Sequence, residues 1–133
     1  MNRLVFFSLA RAFCVCGFSS PKQRMIVLTD MGADPDDEQS LVRLLLYANQ
    51  IDIEGIVATT SCWHRNGIRP DFIDTILDAH EKVQPNLLRH DDGYPTADAL
   101  REVSKRGSPK YGMTGVGDGM DTEGSDRIVQ QLE

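Results

Sequence analysis

Four aspartates stand close together directly after a short apolar stretch: Asp30, Asp34, Asp36 and Asp37. The stretch itself, residues 25–29, has the continuous apolar character of a buried parallel strand. Carboxylate oxygens on a short, constrained loop are the ligands that hard cations such as Ca²⁺ and Mg²⁺ prefer. The run therefore predicts a cation site at the end of the first strand.

The same residues also fit the start of a helix. Asp34 is a good N-cap, and Pro35 suits the first helical position. Asp36 and Asp37 would then lie in the first turn, near the positive end of the helix dipole. Capping gives Asp30 no role, however, and converging carboxylates repel one another unless a cation lies between them. We expect Asp34 to face the helix backbone, while the other three carboxylates converge on one cleft.

The remaining chain alternates predicted strands and helices. A second strand is predicted at residues 53–59, and helices are predicted at 36–48, from 69 to about 83, from a cap at Thr96 to about 106, and from a cap at Ser125 onward. This alternation is typical of an α/β fold, a parallel sheet with helices on both faces. Such sheets bind ligands at the carboxyl ends of their strands, where Asp30 and the loop at residues 60–66 both fall.

Two side chains outside the aspartate loop have two interpretations each. Trp63 follows the second strand, and its aromatic face could pack on the apolar side of a sugar or base ring. Alternatively, Trp63 is tucked against the edge of the core. His80 lies on the apolar side of its predicted helix, which indicates a core histidine rather than a ligand.

Several segments together resemble a known superfamily. Residues 28–37, followed by 40–45, are similar to the N-terminal motif of nucleoside hydrolases, an Asp-Pro-Gly-x-Asp-Asp loop after the first strand. The similarity is greater to the nucleoside-hydrolase-like domain of cellulose-binding proteins, because further segments agree with that branch: 52–61, Trp63, Asn66, 111–113 and 121–125. The resemblance covers about residues 25–133 and implies a nucleoside-hydrolase-like α/β fold.

The resemblance also implies roles for individual residues. Asp30 and Asp37 would be Ca²⁺ ligands, and Asp30 would also act as the catalytic base that holds the attacking water. Asp36 would bind sugar hydroxyls, and Asn66 would contact the sugar from the loop after the second strand. The implied activity is hydrolysis of N-glycosyl or related glycosyl bonds, as in calcium-dependent nucleoside N-ribohydrolases.

The chain departs from the superfamily in its loop and its length. The loop is about two residues longer, because Ala33, Asp34 and Pro35 intervene before the Asp36–Asp37 pair. The superfamily's further Ca²⁺ ligands and its acid-side histidine would follow Glu133. Residues 25–133 are therefore expected to be the N-terminal half of a truncated domain that is inactive alone.

Three functions can be compared on these residues. The first is the glycosyl hydrolase, and the alternative is a non-catalytic, carbohydrate-associated accessory or binding domain. The longer loop favours the alternative, whereas the presence of Asp30, Asp36 and Asp37 together favours the hydrolase. An aspartate-nucleophile phosphatase is strongly disfavoured, because it needs a second aspartate two positions after Asp30, where Gly32 stands.

Composition limits the partners. The chain has 133 residues, 41% of them hydrophobic and 26% charged, with a net charge of −6. The acidic balance argues against nucleic acid, which is bound through Lys and Arg. No stretch reaches the ~18 apolar residues of a membrane span. A small sugar or nucleoside is the expected partner, and an unpaired sheet edge would favour a homo-oligomer.

Residues 1–24 form a separate leader. A basic start at Arg3 precedes the apolar run at residues 4–10, as in a secretory signal peptide, although Arg11 interrupts that run. The alternatives are a secreted protein and a cytoplasmic one with an unstructured leader. Cys14 and Cys16 fit no common zinc spacing, and Cys62 alone permits no disulfide within residues 25–133.

Overall fold

The computed structural model describes residues 21–132, so the predicted leader with Cys14 and Cys16 lies almost wholly outside the described residues. The elements follow in the order β1 (Gln23–Thr29), α1 (Pro35–Leu45), β2 (Ile51–Ala58), α2 (Pro70–Leu87), α3 (Ala97–Val103), β3 (Ser104–Arg106), a 3-10 turn (Gly112–Gly115) and α4 (Glu123–Leu132). The predicted alternation of strands and helices is confirmed.

The three strands form one parallel sheet in the order β1-β2-β3, with β2 in the centre. β3 corrects the prediction that residues 104–106 end a helix. Ser104 has an extended backbone, with φ −76° and ψ 122°, and it pairs with Ile56 of β2. Hydrogen bonding to the central strand therefore overrides the helical pattern of the local sequence.

A bulge in β2 controls which side chains face which layer. Met25 pairs with Ile53, but the next residue, Ile26, pairs with Gly55, so Glu54 is an extra residue in β2. Because side chains alternate along a strand, one extra residue reverses the alternation. Ile53 and Ile56 consequently lie on the same face.

That face carries the main core under α1, α2 and α3. Its buried residues are Met31, Leu41, Leu45, Ala48, Ile53, Ile56, Ala58, Ile73, Leu77 and Leu100. His80 is 4% exposed, and its Nε2 lies 3.2 Å from the carbonyl oxygen of Pro95. The prediction of a core histidine is confirmed.

α4 covers the opposite face of the sheet, so helices lie on both faces as predicted. A Cβ atom on Gly124 would lie 2.5 Å from Cγ1 of Val57 and 3.1 Å from the carbonyl oxygen of Arg106, so the helix approaches the sheet closely. The Nε of Arg127 donates to the carbonyl oxygen of Glu54 at 2.6 Å. α4 is thus attached to the sheet at the bulge.

Besides the earlier end of α3, helix boundaries differ from the predictions in three places. α1 ends at Leu45 rather than residue 48, and α2 continues past Pro85 to Leu87, with the amide of Leu88 still donating to the carbonyl of Gln84 at 2.9 Å.

No helix within residues 21–132 is both long and apolar enough to cross a membrane.

The start of α4 is the third difference. The helix begins at Glu123, and Thr122 accepts from the amide of Ser125 at 3.2 Å while Ser125 Oγ accepts from the amide of Thr122 at 2.7 Å. This reciprocal pair is a capping box, so the prediction that Ser125 is the cap is wrong. The predicted cap of α3 is confirmed, because Thr96 Oγ1 accepts from the amide of Ala99 at 3.1 Å.

Substituting Gly124→Ala tests the packing of α4. The added methyl group would meet Val57 and Arg106, so we expect destabilisation by about 1–2 kcal/mol despite the better helix propensity of alanine. Thermal unfolding of the variant should shift down by several degrees. Gln130→Ala, at an exposed position of the same helix, is the matched control. A higher melting temperature for Gly124→Ala would contradict this packing.

Candidate cation and sugar site at the carboxyl edge of the sheet

The two candidate loops leave the sheet at the same edge. β1 ends at Thr29, which is 4% exposed, and the backbone amide of Thr59 donates to the carbonyl oxygen of Thr29 at 2.8 Å. Parallel pairing therefore continues one residue beyond β2. The aspartate loop and the loop carrying Trp63 start side by side as a result.

The first turn of the aspartate loop is fixed by packing. Met31 is 1% exposed and belongs to the core beneath α1 and α2. Gly32 has φ +85°, and a Cβ atom there would lie 3.3 Å from the ring of Phe72. Both the left-handed backbone and the close approach to α2 favour glycine. The loop is thus anchored at its base, while the aspartates after it stay accessible.

Three aspartate side chains share one small volume. Asp34, Asp36 and Asp37 each offer a carboxylate oxygen, and these oxygens lie within 4.8 Å of one another. Thr29 Oγ1 donates to Oδ1 of Asp37 at 2.7 Å. Asp30 lies beside Asp37, close enough for a contact between the two carboxyl groups. The structure therefore brings Asp36 and Asp37 together with Asp34, and it places Asp30 near Asp37 but outside this group.

Asp34 behaves differently from the prediction. Its backbone is at the N-cap position, with φ −149°, but its side chain makes no capping hydrogen bond. The carboxyl group of Asp34 instead hydrogen-bonds that of Asp36, which raises the pKa of Asp34 and lowers the pKa of Asp36. The two groups therefore titrate as a pair rather than independently. The expectation that Asp34 faces the helix backbone is wrong.

Asp37 is also perturbed. Burial of its side chain raises its pKa, and the charge of Asp30 adds to that effect, whereas the hydrogen bond from Thr29 opposes it. No basic side chain forms an ion pair with any of the four loop aspartates within residues 21–132, so this repulsion is not offset by a salt bridge. Arg69, at the start of α2, is instead held by Asp71 through two hydrogen bonds of 2.8 and 2.9 Å.

The donor set fits a hard cation. Calcium binds oxygen ligands at about 2.3–2.6 Å, so two oxygens on one ion lie at most about 5 Å apart. The 4.8 Å limit for the carboxylates of Asp34, Asp36 and Asp37 meets that condition. These three residues would hold the ion, with Asp30 next to Asp37. The loop thus adds to the candidate ligands Asp34, which the helix-start pattern of the sequence had assigned to the N-cap.

The second loop is braced by Ser61. Its Oγ accepts from the backbone amides of Trp63 and His64, both at 3.1 Å, and its own amide donates to the carbonyl of His64 at 3.1 Å. Arg65 Nε donates to the carbonyl of Cys62 at 2.9 Å. Trp63 at the tip is 83% exposed, so the interpretation of a tryptophan tucked against the core is wrong.

Asn66, the other candidate sugar ligand, is exposed and forms an isolated antiparallel bridge with Lys110. Arg65 and Tyr111 are the sequence neighbours of these two residues, and the guanidinium of Arg65 lies over the ring of Tyr111, 5.1 Å from its centroid. This bridge and stacking join the Trp63 loop to the segment before the 3-10 turn. Tyr111 was not a predicted site residue, and its place in the 111–113 segment was the only sequence signal for it.

Comparison with known proteins agrees with this architecture. The family model described as cellulose-binding Sde182, nucleoside hydrolase-like domain, matches residues 24–133. The chain belongs to this family. The Sde182-like chain is also similar to the structure of a nucleoside hydrolase-related hypothetical protein from Saccharophagus degradans that is associated with carbohydrate metabolism, with 45% sequence identity and a TM-score of 0.82.

The similarity is unequal in extent. It covers 85% of this Sde182-like chain but 28% of the Saccharophagus degradans chain. A comparison with curated proteins found no match. The predicted resemblance and the nucleoside-hydrolase-like α/β fold are confirmed.

Replacing Asp37 by asparagine tests the repulsion in the loop. The folded-state pKa of Asp37 is raised, so the native protein binds more protons than the unfolded chain and loses stability as pH rises through that window. An amide avoids this loss and can still accept from Thr29. We therefore expect Asp37→Asn, without added Ca²⁺, to melt a few degrees above the unmodified chain at pH 7, with a smaller difference at pH 4.

Asp74→Asn, at an exposed position of α2, is the matched control for a lost carboxylate and should leave the melting temperature nearly unchanged. Thermal melts followed by circular dichroism from pH 4 to 7 make the measurement. A lower melting temperature of Asp37→Asn at pH 7 would mean that the charge of Asp37 stabilises the fold.

Proposed function

We propose that this chain forms the cation- and sugar-binding part of a carbohydrate-associated domain, with binding rather than bond cleavage as its role. The observation that carries the proposal is the group of loop carboxylates at the carboxyl edge of the sheet, which no ion pair within residues 21–132 neutralises. The family name and the Saccharophagus degradans relative both support a carbohydrate as the ligand class.

A bound Ca²⁺ ion would supply coordination positions that sugar hydroxyls can fill, because calcium accepts carboxylate, carbonyl and hydroxyl oxygens. Asp34, Asp36 and Asp37 would hold the ion. Asp36 is exposed, so its second oxygen remains available to accept from a sugar hydroxyl. Thr29 holds Asp37 in place from below, since its hydroxyl donates to that carboxylate.

Binding is favoured over cleavage because the loop carboxylates that would hold the cation leave no separate acid group among them. Glycosyl hydrolysis uses one carboxyl group as a base or nucleophile and a protonated group as an acid for the leaving group. The loop carboxylates that lie together are those of Asp34, Asp36 and Asp37, and all three would hold the cation. A carboxylate that binds Ca²⁺ is deprotonated and cannot also be the acid.

Calorimetric titration of Ca²⁺ into the purified chain tests this proposal. We expect weak binding, with a dissociation constant on the order of 10⁻⁴–10⁻³ M, as for exposed calcium sites with few ligands. Asp37→Asn should weaken the binding at least about tenfold, because it removes one charged ligand, and Asp74→Asn should not. Binding should also weaken from pH 7 to pH 4 as Asp34 and Asp37 become protonated. Equal affinity for the two variants would reject the site.

Hydrolysis is the second candidate, favoured by the position of Asp30 beside Asp37 at the end of β1. There Asp30 would accept a proton from an attacking water. We expect no sugar release when the 133-residue chain is incubated with inosine, uridine or nitrophenyl riboside in millimolar Ca²⁺. Release of sugar that Asp30→Asn abolishes would instead establish hydrolysis by this chain alone.

A further inference from the structure

β1 is an edge strand, and no other strand within residues 21–132 pairs with its outer side. The strand order is β1-β2-β3, so β1 hydrogen-bonds to β2 along one side only. An exposed edge is a template for a further strand, and proteins commonly protect it with Lys, Pro or a bulge on the edge strand itself. β1 contains no Lys or Pro, and the bulge of this strand pair belongs to β2. The edge therefore remains able to pair.

Alternate backbone groups of β1 point outward. The carbonyl oxygen of Thr29 accepts from the amide of Thr59, so the backbone groups of Thr29 face β2. Because this direction alternates along a strand, the N–H and C=O groups of Arg24, Ile26 and Leu28 face away from the sheet. Each of these three residues offers one donor and one acceptor to a neighbouring strand.

These outward groups are self-complementary in one antiparallel register. With Ile26 of one copy opposite Ile26 of a second copy, Arg24 lies opposite Leu28, and Leu28 lies opposite Arg24. All three positions are then pairs that exchange both of their N–H···O bonds. A two-fold axis passes between the two Ile26 residues, which makes the contact isologous, as in most dimers of identical chains.

The side chains beside this edge are apolar and exposed. Leu28 is 60% exposed, and α4 adds Val129 and Leu132, which are 56% and 81% exposed. Arg24 hydrogen-bonds Gln131 of α4, so Arg24 lies on the α4 face of the sheet, and alternation places Leu28 on the same face. A two-fold axis perpendicular to the sheet keeps both copies of α4 on this face. The apolar side chains of the two copies therefore border the same strand pair.

The two ends of β1 carry opposite charges. Lys22 and Arg24 stand at the amino end, and Asp30 follows the carboxyl end. The antiparallel register, continued by two residues, sets Lys22 of one copy at the level of Asp30 of the other. Opposite charges across a strand pair are stabilising, whereas a parallel pairing would set each end beside its like. Lys22 is exposed and donates to the carbonyl oxygen of Gly93 at 3.0 Å, so its charge is not paired with a carboxylate there.

We propose that the outer edge of β1 is a docking surface for a second copy of this chain, paired antiparallel about Ile26. The contact joins two three-stranded sheets into one sheet of six strands. It also brings a basic side chain, Lys22 of the second copy, to the end of β1 where the aspartate loop begins. The candidate site thus gains a residue from the neighbouring copy. This inference depends on neither the cation nor the carbohydrate of the proposed function.

Sedimentation equilibrium of the full chain tests the surface. We expect a dimer with a dissociation constant on the order of 10⁻⁵ M, because one strand and one helix from each copy form an interface at the small end of the usual range. Leu28→Lys should weaken the dimer at least about tenfold, since a lysine on an edge strand opposes pairing. Leu46→Lys, at a 49% exposed position after α1, makes the same change of charge and is the matched control.

Two results of this measurement would overturn the proposal. The first is a chain that stays monomeric up to about 1 mM, which would leave the edge to a different strand. The second is a dimer that Leu46→Lys disrupts and Leu28→Lys does not, which would assign self-association to the helical side of the fold. Circular dichroism melts confirm that each variant is folded.

A charge exchange tests the antiparallel direction. Lys22→Glu and Asp30→Lys should each weaken the dimer about threefold to tenfold, and the double variant should recover most of the loss because opposite charges again face each other. Lys82→Glu, at an exposed position of α2, changes the net charge as Lys22→Glu does and should leave the dimer unchanged. Simple addition of the two losses in the double variant would overturn this register.

Hydrogen exchange measured by NMR resolves the pairing residue by residue. As the protein concentration rises through the dimer range, exchange should slow at the amides of Arg24, Ile26 and Leu28, which would pair only in the dimer. The amides of Met25 and Val27 face β2 and should keep their monomer protection. A dimer that forms without slower exchange at the three outward amides would be held by another surface, and the proposal would fail.

Discussion

The parallel pairing of β1 with β2 is the constraint on which both candidate sites depend. Parallel strands end at the same edge, and the hydrogen bond from Thr59 to the carbonyl of Thr29 extends that pairing to the last residue before the aspartates. The aspartate loop and the Trp63 loop therefore emerge next to each other. Local sequence shapes each loop, whereas the sheet sets their arrangement.

In the aspartate loop, carboxylates that repel one another follow directly after a segment that is packed into the core. Met31 is buried in the core and Thr29 is almost fully buried, so the segment before the carboxylates is well anchored. The carboxylates of Asp34, Asp36 and Asp37 lie close together; the contact with Asp36 raises the pKa of Asp34, and burial together with the neighbouring charges raises the pKa of Asp37. Repulsion of this kind persists where the surroundings hold the chain in place and a ligand can relieve it.

The sequence predicted correctly those features that depend on residues close together in the chain. The Thr96 cap and the buried His80 follow from spacing within one helix, and both are as expected. The side chain of Asp34 could not be assigned in this way, because its choice between the helix backbone and Asp36 depends on where neighbouring carboxyl groups lie. Residues 104–106 were assigned to a helix because β2, their partner strand, is distant in sequence. The exposure of Trp63 depends likewise on how its whole loop folds.

The bulge at Glu54 has a consequence for comparing this chain with others. Side chains alternate between the two faces of β2 on both sides of the bulge, but the order of alternation is reversed by the extra residue. Odd-numbered Ile53 before the bulge and even-numbered Ile56 after it therefore face the same core. An aligned chain with one residue fewer at this point would not simply be shorter, because Ile53 would then exchange layers with its neighbours while Ile56 kept its place. In a sequence alignment, a gap near Glu54 should therefore be placed so that each apolar residue keeps the face of the sheet on which it is buried, and not by residue identity alone.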